Sequence, residues 1–423
     1  MKKTYLLGTA LVAVATIAAT DIAAAQTKTQ PLTVTVGGYI TEVFKAADLD
    51  DNRTLDGRRD TALSSDSEIW FNIRGVLDNG TVIGARVELE AQTEVDQIDE
   101  RYLFIERRDI GRAEFGSTDR AASKMVYAAP TAIPGYGTID PTGSIAITNA
   151  PTGARTGGNL TKFASAPDDA EGINLYTSAD RFFGSKAGKG LQLGFSYVPD
   201  GCQDFSNAGS TVGCGGGFPS RTDAGQVEEA ITLSANYLES FGAFDLALFG
   251  AYNRFSIEAD SAGSLANGSA TVYGNTGLQG YALGTTITYN LAGGSSVQVG
   301  GAWKQEEMGV TPSGDDERNV YTAGIRYLTN GTNPGSIGIG IDYAFTKADQ
   351  GNVGGTLVGG EDEYTWYSLG VTYQVARGVL AFGGIGRYEY DDAIAAGTVI
   401  NGVAQLDNDS EANFGIVGMR LDF

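Results

Sequence analysis

From residue 32 onward, apolar and polar positions alternate in short runs instead of recurring every three or four places. In "LTVTVGGYI", Leu32, Val34, Val36 and Ile40 share one face. "SEIWFNIRGVL" sets Ile69, Phe71, Ile73 and Leu77 against Glu68, Asn72 and Arg74. "TVIGARVELE" sets Ile83, Ala85, Val87 and Leu89 against Arg86, Glu88 and Glu90. Successive side chains of a strand point to opposite faces, so each run predicts a strand with one apolar side. "ERYLFIE" and "GRAEFGS" come next, and after a long irregular stretch the pattern resumes at "EGINLYTSAD". It continues through "LQLGFSYVP" and "AFDLALFGAYNRF" to "YTWYSLGVTYQV" and "VLAFGGIGRYEY". In all there are about sixteen runs, most of them reaching the ~9–11 residues of a tilted membrane strand. The last, "GIVGMRLDF", puts Gly415, Val417, Met419, Leu421 and Phe423 on one face, with Gly418, Arg420 and Asp422 between them.

The connections alternate short and long. Short returns fall at 78–80, 107–110, 240–242, 292–294, 330–334 and 376–378. The first, "DNG", is a strong hairpin signal because Asn and Gly accept positive φ. Long polar stretches fall at 46–65, 119–170, 199–226, 259–276, 307–316, 348–360 and 391–407. Two connections are exceptions: 92–97 is short for a long slot, and 182–189 is loose for a short one. A soluble sandwich has no reason to sort its loops by length onto two ends. An outer-membrane barrel does, with turns toward the periplasm and loops outside. The expected fold is therefore all-β: a transmembrane antiparallel β-barrel of about sixteen strands. Its final strand would close against the first and remove the sheet edge, with Phe423 facing outward at the periplasmic interface.

The N-terminus fits export. Lys2 and Lys3 precede an apolar run over residues 5–19 and then Ala23, Ala24 and Ala25. This is the layout of a signal peptide spanning residues 1–25, leaving a barrel domain at 26–423. The run is shorter than the ~20 residues a spanning helix needs. Mean hydropathy is −0.11, which does not discriminate, because alternating strands average near zero.

Composition then narrows the chemistry. The 60 Gly, 20 Tyr and 18 Phe beside 10 Pro suit many strands and tight turns. With 51 acidic and 29 basic residues the formal charge is −22, which argues against a nucleic-acid partner. The chain has no His, which excludes Ser-His-Asp and Cys-His catalysis and imidazole metal sites. No enzyme activity is expected. "GSKAGKG" at 184–190 has one residue too few, and no Ser or Thr, for a phosphate-binding loop. "DLDDNRTLDG" offers Asp48, Asp50, Asn52 and Asp56 as weak metal candidates. An EF-hand counted from Asp48 would need Gly and Glu where Arg53 and Arg59 stand. A loosely bound Ca2+ or Mg2+ and a merely solvated acidic loop both stay open. No cofactor is otherwise expected. Cys202 and Cys214 share one long loop, and in an oxidising compartment they are expected to form a disulfide, worth about 3 kcal/mol in the chain-entropy model.

A signal peptide, about sixteen strands, a long third loop and a terminal Phe together resemble the general porins of Gram-negative outer membranes. The acidic, Gly-rich, His-free character is most similar to the alphaproteobacterial branch. The resemblance implies a homotrimer of water-filled pores in outer-membrane lipid and lipopolysaccharide, with the third loop folded into each lumen as a constriction. It also implies that Phe423 acts as an assembly signal. Unlike enteric porins, this chain has only "AQTEVDQ" as its second loop. Its third loop reads "YAAPTAIPGYGTIDPTGSIAITNAPTG", in which Asp140 is the only acid.

On this reading Arg74, Arg86 and Arg101 form the basic side of a constriction facing Asp140. Alternatively they only solvate the lumen and pair with Glu88 or Glu90. Lys304, Arg326, Arg387 and Arg420 are expected to point inward on later strands. The expected function is passive diffusion of small hydrophilic solutes and ions. The rivals are a sugar- or anion-specific channel, which would show a lumenal aromatic row or a dense Arg/Lys ladder, and a non-conducting barrel acting as adhesin or anchor.

Overall fold

A computed structural model describes residues 32–51, 60–91, 98–131, 133, 170–178, 180–200, 227–257, 276–307, 317–349, 352–353, 356–357, 360–393, 399–400, 403–404 and 409–423. Sixteen antiparallel strands form one closed barrel. The first eight are β1 (Thr33–Asp51), β2 (Thr61–Val76), β3 (Val82–Glu90), β4 (Arg101–Arg107), β5 (Gly111–Ser117), β6 (Glu171–Thr177), β7 (Gly190–Asp200) and β8 (Val227–Phe241). The other eight are β9 (Phe244–Ile257), β10 (Thr276–Asn290), β11 (Ser296–Glu307), β12 (Glu317–Leu328), β13 (Ile337–Asp349), β14 (Glu361–Ala376), β15 (Val379–Asp391) and β16 (Ser410–Asp422). Each strand pairs with its sequence neighbour, and β16 pairs with β1 from Tyr39↔Asp422 to Asp51↔Ser410. One short helix, α1 (Ala121–Met125), follows β5.

Alternation decides which face each residue takes. Leu32 just before β1, Val34 and Val36 on β1, Leu283 on β10, Ile341 on β13, Ile385 on β15 and Val417 on β16 are all more than half exposed. They form the outer, lipid-facing surface, where an apolar band is required. The turns obey their local chemistry. At 77–81 the Leu77 amide donates to Thr81 O at 2.8 Å and Gly80 takes φ +81°, the left-handed region open to glycine.

The extracellular ends differ from the sequence expectation. The described residues of 46–65 are mostly strand, because β1 runs to Asp51 and β2 starts at Thr61. These polar residues extend the sheet above the apolar band. Two-stranded ladders, Asn352–Val353 with Thr356–Leu357 and Val399–Ile400 with Val403–Ala404, occupy stretches read as loop. The signal peptide, Cys202, Cys214, Asp140, Asn52 and Asp56 lie outside the described residues, as does most of 119–170. Asp48 is exposed on β1 opposite Asn413, and the backbone of Asp50 pairs with Glu411.

Strand length sets the barrel's asymmetry. β4, β5 and β6 have 7 residues each, whereas β2 has 16. At ~3.3 Å per residue and a tilt near 40°, seven residues climb only about 18 Å. The third loop therefore leaves β5 from partway up the wall, not from the rim.

Candidate functional site

The short-strand sector carries a dense set of inward charges. Glu68, Arg86, Glu88, Asp99, Glu100, Tyr102, Glu114, Asp119 and Lys124 line a cavity of ≈ 470 Å3. Glu68 on β2 and Arg86 and Glu88 on β3 share the inward phase predicted for them. Glu90, paired with Glu68, has that phase too. Lys124 comes from α1. It donates to Glu114 Oε2 at 3.0 Å and Thr118 Oγ1 at 2.6 Å, with its ammonium 4.6 Å from the centroid of the Tyr102 ring.

Four inward cations, Lys124, Arg86, Arg112 and Arg420, share one arrangement: each lies over an aromatic ring and is bonded to a carboxylate. The Arg86 guanidinium stands 4.6 Å from the Trp70 centroid and forms an ion pair with Glu88. Arg112 stands 4.0 Å from Phe104 and bonds Glu114 at 2.7 Å and Glu106 at 2.9 Å. Arg420 stands 3.7 Å from Tyr39 and bonds Asp422 at 2.8 Å. Ring face and carboxylate both attract the cation and hold it against the wall. Each positive charge is thereby largely answered locally. The carboxylates outnumber them: the cavity lining has six acids and two bases, formally −4.

Carboxylate oxygens of Glu68, Glu88 and Asp99 lie within 4.8 Å of one another. Such a trio could face a divalent cation together. Glu68 already accepts from Tyr39 Oη at 2.8 Å and Trp70 Nε1 at 2.8 Å, and Glu88 is paired with Arg86.

The other anticipated residues are placed as follows. Arg74 points inward but is exposed, three residues before the 77–81 turn, so it sits at the periplasmic mouth. Arg101 does not join Arg86. It pairs with Val87, which is in register with the outward Phe71, so it faces outward and bonds Glu171 at 2.6 Å. Arg387 also faces outward, next to the outward Tyr367, in ion pairs with Glu389 at 2.7 Å and with Glu411. Lys304, Arg326 and Arg420 do take the inward phase. Lys304 is fully buried and bonds Glu306 at 3.2 Å, and Arg326 donates to Thr372 at 3.4 Å near the periplasmic end.

The described part of the third loop lies on the inner wall. Ala121 N donates to Ser196 Oγ at 2.8 Å, Asn236 Nδ2 donates to Met125 O at 3.0 Å, and Thr286 Oγ1 donates to Ala128 O at 2.6 Å. Ile133 packs with the inward Trp366, Tyr388 and Phe414. The segment 118–133 thus crosses the inner faces of β7, β8 and β10 on its way to β15. Glu100 holds its start, accepting from Thr118 Oγ1 at 2.5 Å and Asp119 N at 2.8 Å.

Comparison with known proteins agrees with this architecture. Among solved structures, the trimer form of OmpT, an outer membrane protein of Vibrio cholerae, superposes with a TM-score of 0.55 at 14% identity, covering 93% of this chain and 100% of that one. The anion-selective porin from Comamonas acidovorans superposes with a TM-score of 0.53 at 15% identity, with the same coverages. At such identities these likenesses speak to the fold. No curated protein matches the sequence. The profile of the Gram-negative porins matches residues 9–393. With a closed sixteen-strand barrel, an apolar outside and a charged inside, the chain belongs to the Gram-negative porin family, the diffusion channels of the outer membrane.

Proposed function

We propose that this porin is a general diffusion pore with a preference for cations, that it works as a homotrimer, and that it catalyses no reaction. The carrying observation is the six-to-two excess of acids over bases around the cavity where the third loop meets the short strands. Rings of carboxylates favour cations because their field raises local cation concentration along the path. A sugar-specific channel is less well supported. The inward aromatics Tyr364, Trp366, Phe382, Tyr388 and Phe414 are each no more than 4% exposed, so they offer no open ladder for a sugar to slide along. Among the described residues the anion-specific reading lacks an open Arg or Lys ladder, since Arg86, Arg112 and Arg420 are bonded to carboxylates.

Recording single channels of the purified protein in planar bilayers under a KCl gradient tests this. The expected result is steady ohmic openings and a cation-signed zero-current potential. A silent protein would support the adhesin or anchor reading, and an anion-signed potential would refute the preference.

The outer surface supports assembly. Glu42 is exposed between Ile40 and Phe44 on the outward face of β1, and the outward pair Arg101–Glu171 tops β4 and β6. A charge facing lipid at mid-membrane costs ~2–4 kcal/mol. Cover by a second subunit removes that exposure. Unheated samples should run on a detergent gel as oligomer and boiled ones as monomer. Arg101→Glu should lower the temperature at which the oligomer dissociates, because it sets two acids side by side. An unchanged dissociation temperature would move the interface elsewhere.

Two further expectations belong here. Mass spectrometry of an unreduced digest should recover Cys202 linked to Cys214, whereas two alkylated thiols in the native protein would refute the disulfide. Arg86→Ala should strengthen cation preference by releasing Glu88. Arg74→Ala, at the mouth, should do so much less. Equal effects of the two would contradict their different depths.

A further inference from the structure

We infer that inward-facing glycines of the long-strand wall, above all Gly284 and Gly324, are positioning residues that seat the third loop and so set the cross-section of the pore. This rests on the channel reading and goes further, by naming what fixes the loop's path.

Along 121–133 the loop meets the wall at residues without a Cβ. A Cβ at Gly324 on β12 would lie 2.6 Å from Pro130 O, and one at Gly300 on β11 would lie 2.6 Å from Ala128 O. A Cβ at Gly284 on β10 would collide with Tyr127 O, one at Gly194 on β7 with Met125 Sδ, and one at Gly384 on β15 with Ile133 Cδ1. All five have the inward phase: their neighbours Leu193, Leu283, Val299, Ile325 and Ile385 are exposed on the outer face. Gly300 and Gly324 are direct partners across β11 and β12, and Gly300 also pairs with Thr286, whose hydroxyl holds Ala128 O.

Several of the clashing atoms are backbone carbonyls of the loop, which do not yield as a flexible side chain does. Packed interiors have no slack for an added methyl group. A side chain at these positions must therefore lift the loop toward the pore axis. The outward Gly250 is a contrast, since its Cβ would meet only Leu283 Cδ2 at 3.4 Å and Ala282 O at 3.9 Å. Loss of Cβ at Gly284 and Gly324 serves the loop, not the strand, because glycine weakens a strand interior.

The test uses the full-length protein in planar bilayers and in liposome swelling with uncharged sugars, beside heat-modifiability as the measure of assembly. Gly324→Val and Gly284→Val should assemble, lose single-channel conductance, gain open-channel noise and admit sugars more slowly. A rise in conductance would contradict a loop lifted toward the pore axis and would overturn the inference. Gly250→Val should match the parent. Assembled Gly324→Val and Gly284→Val with parental conductance, noise and sugar rates would overturn the inference. If both valines block assembly, Thr286→Val decides. It keeps the volume and deletes the bond to Ala128 O, so noise should rise, and parental noise would overturn the inference equally. A parent protein that never conducts would instead defeat the channel reading.

Discussion

Changing Glu68, Glu88 and Asp99 together to Gln, Gln and Asn should cut the cation/anion permeability ratio by about five-fold. The substitutions keep shape and remove three of the six carboxylates around the cavity, taking its formal charge from −4 to −1. A unit charge about 10 Å from a passing ion contributes about 0.4 kcal/mol in a water-like dielectric. Salt at physiological strength reduces this roughly three-fold at one Debye length. The effect has opposite sign for cation and anion, so three charges shift the ratio by about 0.9 kcal/mol, or about five-fold. Glutamine at 68 can accept from Trp70 Nε1 through its one amide oxygen while Tyr39 Oη donates to Asp66 Oδ1, so the wall should remain intact. The measurement is the zero-current potential across a KCl gradient, with the shift shrinking as salt rises. An unchanged potential in an assembled variant would place the selectivity-determining charges on another part of the path.

The sequence reading put Arg74, Arg86 and Arg101 together on a basic constriction wall, and the reasons the structure spreads them apart are physical. Period-two alternation reveals which residues share a face, and for β1, β2, β3 and β16 it also reveals which face is outside, because one side is apolar. On β15 that cue reverses. Phe382, Tyr388 and Tyr390 point inward and are buried, so all the aromatics of this strand are lumenal, and Arg387 falls outside. At Arg101 the strand has only just begun, and its phase follows from pairing with Val87, a partner that alternation within β4 does not show. A basic wall opposite an acidic loop was the natural expectation from Arg74, Arg86 and Arg101. The structure sets two of the three elsewhere, and the described part of the loop brings Lys124 to Glu100 and Glu114. The stacked Arg–aromatic–carboxylate sets were legible in principle as Trp70 beside Glu68 and Arg112 beside Glu114. Their meaning depends on cross-strand register. Loop seating leaves a sequence trace too, as glycines at inward places in β7, β10, β11, β12 and β15, but only the fold shows what fills the gap.

Deleting Phe423 should lower the amount of assembled barrel in the outer membrane several-fold while leaving the conductance of the surviving channels unchanged. Phe423 N donates to Gly38 O at 3.0 Å and Gly38 N donates to Phe423 O at 3.1 Å, the last two bonds of the closing seam. Its ring is 60% exposed on the same outward face as Val417, Met419 and Leu421, beside the end of β1. Without it two backbone groups of Gly38 lose their partners at the membrane edge, each bond worth about 0.5–1.5 kcal/mol net. An aromatic anchor at the interface is lost as well. Neither loss reaches the lumen, where Arg86, Glu88 and Lys124 sit, so the pore itself should be unaltered. Phe423→Tyr keeps both bonds and an interfacial aromatic, and should restore assembly. Removing all of 410–423 is the harsher case. It strips every β16 partner from Tyr39 to Asp51 and leaves both β1 and β15 as open edges, which lipid does not tolerate. No heat-modifiable species should then appear. Outer-membrane levels of the single deletion equal to the parent would mean that the seam closes without its final rung and that recognition of the barrel lies in another strand.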